Sequence, residues 1–104
     1  MAGKTLRHPD LKPSHPGELL REIVIPATGK TKVEIARLLG ISRQSLYEIL
    51  SEKQGVTPSI AARLGKMFGD GPEVWLQMQN ACDLWDINRN MKKDLARIPR
   101  LTAA

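Results

Sequence analysis

The chain has 104 residues, 41% hydrophobic and 26% charged, enough for one ordinary globular domain with a small core. It has no run of about 18 apolar residues to span a membrane, and the opening MAGKTLRHPDLKPSHPG has no apolar stretch of the kind a secretory signal needs. A single cysteine, Cys82, excludes internal disulfides and multi-cysteine metal clusters, so a reduced, cytoplasmic protein is expected. The net charge of +5 is uneven: residues 30–66 and 89–104 each carry +4, residues 67–88 carry −4, and residues 1–29 carry +1. Clustered positive charge is the footprint of a polyanion binder, although many small proteins are mildly basic without such a partner.

Pro and Gly punctuate the chain at 13–17, 26–29, 40, 55–58 and 69–72, and the segments between them carry helical periodicity. With no period-two run of β-branched residues, the expected class is all-α, built of five helices. The first opens at SHPGELLREIV, with Pro16 in its first turn and an apolar stripe of Leu19, Leu20, Ile23 and Val24; Pro26 is expected to stop it. The second follows TKVEIARLLG. Thr31 and Glu34 form a capping-box pair, Val33, Ala36 and Leu39 are expected inward, and Gly40 supplies a left-handed end. Ser42 caps the third, SRQSLYEILS, whose inward residues are Leu46, Ile49 and Leu50. Thr57 and Pro58 open the fourth, which buries Ile60, Leu64 and Phe68. The fifth runs from Pro72 to about Asn90, with an inward stripe of Val74, Met78, Ala81, Cys82 and Trp85. A neighbouring row, Leu76, Leu84, Ile87 and Met91, is left over. Such a surplus points to a partner surface, here a homodimer interface, because symmetric dimers are the commonest oligomers.

KVEIARLLGISRQSLYEILS, residues 32–51, carries the functional signal. A helix-turn-helix needs a small residue where two helices cross, which Ala36 supplies. It needs a residue tolerant of positive φ four positions later, which is Gly40, and apolar residues pinning the second helix, which are Ile41, Leu46 and Ile49. In that packing the second helix enters the major groove of double-stranded DNA. Arg43, Gln44, Ser45, Tyr47 and Glu48 are then the base-reading candidates. Arg suits the O6/N7 acceptors of guanine, Gln suits adenine, and Glu48 either accepts from cytosine N4 or is simply solvated. Thr31 and Ser42, with the amides they cap, and Lys30, Lys32, Arg37 and Lys53 are the phosphate candidates; Arg37 could instead pair with Glu34. His8 and His15 sit in a Pro-rich arm and Cys82 on an apolar face, so no enzyme, metal or cofactor is expected.

HPGELLRE, the helix-turn-helix, LSEKQGVTPSIAARLGKMFG and GPEVWLQMQNACDLW together resemble the HigA-type antitoxins, also called virulence-associated protein I family regulators, over residues 14–88. PEVWLQMQ at 72–79 is the most specific piece. The resemblance implies a Cro/repressor-like (XRE) domain with a long C-terminal helix in a bacterial homodimeric antitoxin. Such a protein neutralises a RelE-like mRNA-cleaving toxin and represses its own operon through palindromic operator DNA. It places Arg43, Gln44, Ser45 and Glu48 on recognition-helix positions. The expected layout is an arm at 1–14, the DNA-binding domain with its dimerisation helix at 15–90, and a basic tail at 91–104 that is solvated and partly disordered, extends the helix, or binds DNA or toxin. The toxin contact is expected on the arm and first helix, including Leu19 and Arg21. A stand-alone regulator of the same family and a pure protein-interaction module remain as alternatives. Two departures stand out. Ser51-Glu52 replaces the usual Asn-Gly after the recognition helix, costing up to ~1 kcal/mol if the left-handed turn is kept, and Gly71 replaces the usual Ser/Thr cap.

Overall fold

The structure, a computed structural model, describes residues 11–102; His8 and most of the 1–14 arm lie outside them. Every regular element among the described residues is helical. Helix α1 is one continuous rod in three pieces, Pro16–Leu19, a π-helical turn Leu20–Val24, and Ile25–Thr28. Then follow α2 (Lys32–Leu39), α3 (Arg43–Leu50), α4 (Pro58–Phe68), α5 (Pro72–Asn90) and a short α6 (Lys92–Ala96).

The local chemistry of the ends explains most of these boundaries. Thr31 accepts from the Glu34 amide at 3.1 Å while the Glu34 carboxylate accepts from the Thr31 amide at 3.3 Å, closing the capping box of α2. Ser42 accepts from the Ser45 amide at 3.0 Å, and Thr57 from the Ile60 amide at 3.3 Å. Gly40 ends α2 at φ 76°, the left-handed conformation the tight turn into α3 requires. Gly71 caps α5 with no side-chain hydrogen bond, as the missing Ser/Thr foretells.

Pro26 does not stop α1. The Ile25 amide reaches back five residues to the Leu20 carbonyl, and this widened turn lets the chain accept the proline and continue to Gly29, whose φ of 71° ends the helix. His15 caps the start, its Nδ1 accepting from the Gly17 amide at 2.9 Å.

The core gathers Leu20, Ile25, Ile35, Ala36, Leu39, Leu46, Ile49, Leu50, Val56, Ile60, Ala61, Leu64 and Trp75. Fully burying one such large side chain contributes roughly 1.5–3 kcal/mol. Several inward assignments change. Val33, 44% exposed, lies outside and Ile35 takes its place. Ile23 is exposed, and Phe68 is only partly buried against the core. On α5 the buried row is Trp75, Gln79 and Cys82, while Val74 and Ala81 are exposed and Met78 and Trp85 half-buried. Leu76, expected in the spare row, packs against the core instead. The exposed row is Leu84, Ile87 and Met91, and it continues beyond α5 to Leu95, Ile98 and Leu101. In the tail, residues 92–96 extend the helical run as α6 with every side chain exposed.

Trp75 donates its indole N–H to Asp70 at 3.0 Å. Gln79 accepts from the Val56 amide at 2.8 Å and donates to Asp83 at 2.9 Å. PEVWLQMQ is therefore a structural signature. Trp75 fills the core, and Gln79 ties α5 to the loop that follows α3.

Candidate nucleic-acid interface

Two short helices of eight residues each carry the site, α2 and α3. Their crossing is held by Ala36 and Leu39 from one side and by Leu46 and Ile49 from the other, all buried, with Ile41 half-buried in the turn. The opposite face of α3 is thereby turned to solvent. Arg43 and Gln44 are exposed in its first turn, Tyr47 is 46% exposed one turn on, and Ser45 and Glu48 are half-buried beside them. Gln44 donates its side-chain N–H to the Glu48 carboxylate at 3.2 Å, so Glu48 is a partner of Gln44 rather than a freely solvated charge. A bidentate contact of Gln44 with adenine must release that bond.

The phosphate candidates divide into two groups. Lys30, Thr31 and Lys32, at the mouth of α2, line a cleft of about 420 Å³ with Arg21, Ile25, Pro26, Val33 and Tyr47. The capping box occupies the Thr31 and Glu34 amides, leaving the Lys32 and Val33 amides as the outward donors of that turn. Because Glu34 turns to the Thr31 amide, Arg37 is not its partner and stands exposed. Ser42 holds the Ser45 amide. Lys53 lies apart. It lines a polar pocket with Lys12, His15, Glu52, Gln79 and Asp83 at the other end of α3.

Two arginines brace the motif, a role the sequence does not reveal for either; Arg21 is expected from it only as part of a toxin contact. Arg63 of α4 donates to the Leu39 carbonyl at 2.7 Å, at the end of α2. Arg21 of α1 donates to the Leu50 carbonyl at 2.5 Å, at the end of α3. Each supplies the cation that a helix C-terminus favours. Neither has a local sequence signal, because each reaches across more than 20 residues.

Burial pushes the Cys82 thiol upward, away from the reactive thiolate, and His15 is used as a cap. Among the described residues no group of three or more acidic, His or Cys side chains is placed to hold a metal ion. No helix among them is long and apolar enough to cross a membrane.

No protein-family model matches the chain. It is 37% identical over 90 residues to an HTH-type transcriptional regulator, YbaQ, of Escherichia coli K12, covering 84% of this chain and 79% of that one. The solved structure of antitoxin GraA in complex with its operator superimposes with a TM-score of 0.80 at 33% identity, over 94% of this chain and 99% of that one. The Pseudomonas aeruginosa antitoxin HigA with the higBA promoter gives 0.79 at 27% identity, over 88% and 100%.

Proposed function

The chain belongs to the helix-turn-helix regulator family that includes the HigA-type antitoxins, and on that premise we propose that it is the antitoxin of a toxin–antitoxin pair and represses its own operon by binding operator DNA. One observation carries this reading. The solvent face of α3, with Arg43, Gln44 and Tyr47, borders the basic cleft of Lys30 and Lys32, on a backbone like that of relatives solved with operator or promoter DNA.

In this reading Arg43 and Gln44 meet base edges, with Ser45, Tyr47 and Glu48 beside them. Thr31, Ser42, Lys30 and Lys32 take phosphates on one flank; Arg37 and Lys53 reach them outside the cleft. A well-made bidentate base contact contributes roughly 1–3 kcal/mol of discrimination. Two copies joined through Leu84, Ile87 and Met91 set their recognition helices about 34 Å apart, one turn of DNA. The exposure of those three side chains, at 56%, 39% and 38%, supports this dimer. That GraA and HigA are antitoxins supports a protein toxin as the second partner, and the place of action is then the cytoplasm.

The test is fluorescence anisotropy on the DNA upstream of the gene, against a scrambled duplex, over a salt series. A preference of about 10³ or more is expected. Weak binding that ignores sequence and collapses with salt would contradict the reading. Co-expression with a toxin encoded next to this gene tests the second partner: a stable complex is expected, and free toxin activity would exclude it.

A further inference from the structure

We infer that Arg21 is the positioning residue of the recognition helix, holding the end of α3 and the turn after it in the geometry that base reading needs. The inference rests on the proposed reading that α3 enters DNA. Three contacts converge on one side chain. Nη1 donates to the Leu50 carbonyl at 2.5 Å and lies 3.3 Å from the Glu52 carboxylate; Nε lies 2.8 Å from the Glu22 carboxylate. Glu52 is the one non-glycine at positive φ among the described residues, at 65°. A glutamate resists that conformation, so the turn needs to be held. Arg21 gives this strained turn an anchor and the last carbonyl of α3 a donor.

Packing points the same way. A Cβ on Gly17 would fall 1.9 Å from the Ile49 carbonyl oxygen, so the backbones of α1 and α3 touch one turn before Arg21 and one residue before Leu50. Helix α1 is thus a rigid rail along α3, and Arg21 fastens the end of α3 to it.

Arg21 also lines the Lys30–Lys32 cleft, and a direct phosphate contact is the competing role. Two of its three nitrogens are already engaged within the protein, which favours positioning. Salt dependence separates the two roles. A phosphate contact adds about 0.9 to the slope of log affinity against log salt, whereas a residue that only orients α3 adds none.

The variants are Arg21→Met, which keeps the aliphatic stem and loses the donors, and Arg21→Lys, which keeps one donor group. Both are measured beside the wild-type protein on the upstream DNA and a scrambled duplex over a salt series, with helix content by circular dichroism. Expected for Arg21→Met is about a tenfold loss on the upstream DNA, or ~1.4 kcal/mol, with scrambled binding and the salt slope unchanged; Arg21→Lys recovers part of the loss. An equal loss on both duplexes with a slope shallower by about one would overturn the inference in favour of a phosphate contact. No loss on either duplex would overturn it outright. Amide exchange at Ser51, Glu52 and Lys53 reads the clamp without DNA and in either variant. Exchange about tenfold faster in Arg21→Met is expected, and unchanged exchange refutes the clamp even if the DNA reading itself fails.

Discussion

Helix α5 begins inside the molecule and ends outside it. Its first half places Trp75, Gln79 and Cys82 among the buried residues, with Trp75 against Phe68 at 6.2 Å between ring centres and Gln79 wired to the Val56 amide. Its second half carries Leu84 and Ile87 into solvent, and the same row runs on through Met91, Leu95 and Ile98. Trp85 marks the change, half-buried beneath the Arg89 guanidinium at 4.2 Å and the Lys12 ammonium at 5.7 Å. Both halves carry an apolar row, but among the described residues the row of the first half is buried in the core and that of the second is exposed. The first half belongs to the body that holds the recognition helix. The second presents a row that a second copy is proposed to cover.

The sharpest way to break this contrast is a pair of truncations. Trp75→Ala is expected to cost about 3–5 kcal/mol, and Leu84→Ala to stay within about 0.5 kcal/mol for the unfolding of the isolated chain. Urea titration at low protein concentration measures both, and equal costs would erase the distinction. Next, Leu84→Glu combined with Ile87→Lys should halve the mass seen by light scattering while leaving the helical signal intact. An unshifted mass would remove the dimer from that row.

A smaller effect concerns the start of α1. Burial is the first cause lowering the pKa of His15, with Lys12 and Arg21 acting the same way and Glu52 and Asp83 opposing. The folded state thus favours the neutral ring, which accepts the Gly17 amide, while the unfolded chain takes up a proton near pH ~6.5. The stabilisation is full above that value and is lost as pH falls below it. The melting temperature should drop between about pH 7.5 and 5.5, and His15→Asn, a cap that does not titrate, should flatten that dependence. Smallest of all, Glu52→Gly relieves the left-handed turn and gives up only a partly exposed ion pair with Arg21, so stability should rise, by less than ~1 kcal/mol, measured by thermal melting.

The sequence made the helix starts legible because capping is local. Thr31, Ser42 and Thr57 each bond an amide three residues on, and Gly40 needs only its own φ. Long-range ties were not legible. Arg21 to Leu50, Arg63 to Leu39 and Gln79 to Val56 span 29, 24 and 23 residues, and no periodicity encodes them. Pro26 misled because a π-helical turn absorbs it. The 19 residues of α5 carry apolar side chains around more than one face, so spacing alone could not choose between the Val74 row and the Trp75 row. The face of α3 was readable because its inward residues, Leu46, Ile49 and Leu50, are clear and the rest follow by elimination.

The most direct test of the account is the affinity of Arg43→Ala for the upstream DNA and for a scrambled duplex, side by side with the wild-type chain. A loss of roughly 1–3 kcal/mol on the upstream DNA alone, with the helical signal unchanged, is the predicted result. An unchanged preference between the two duplexes would mean that the exposed face of α3 does not read the operator.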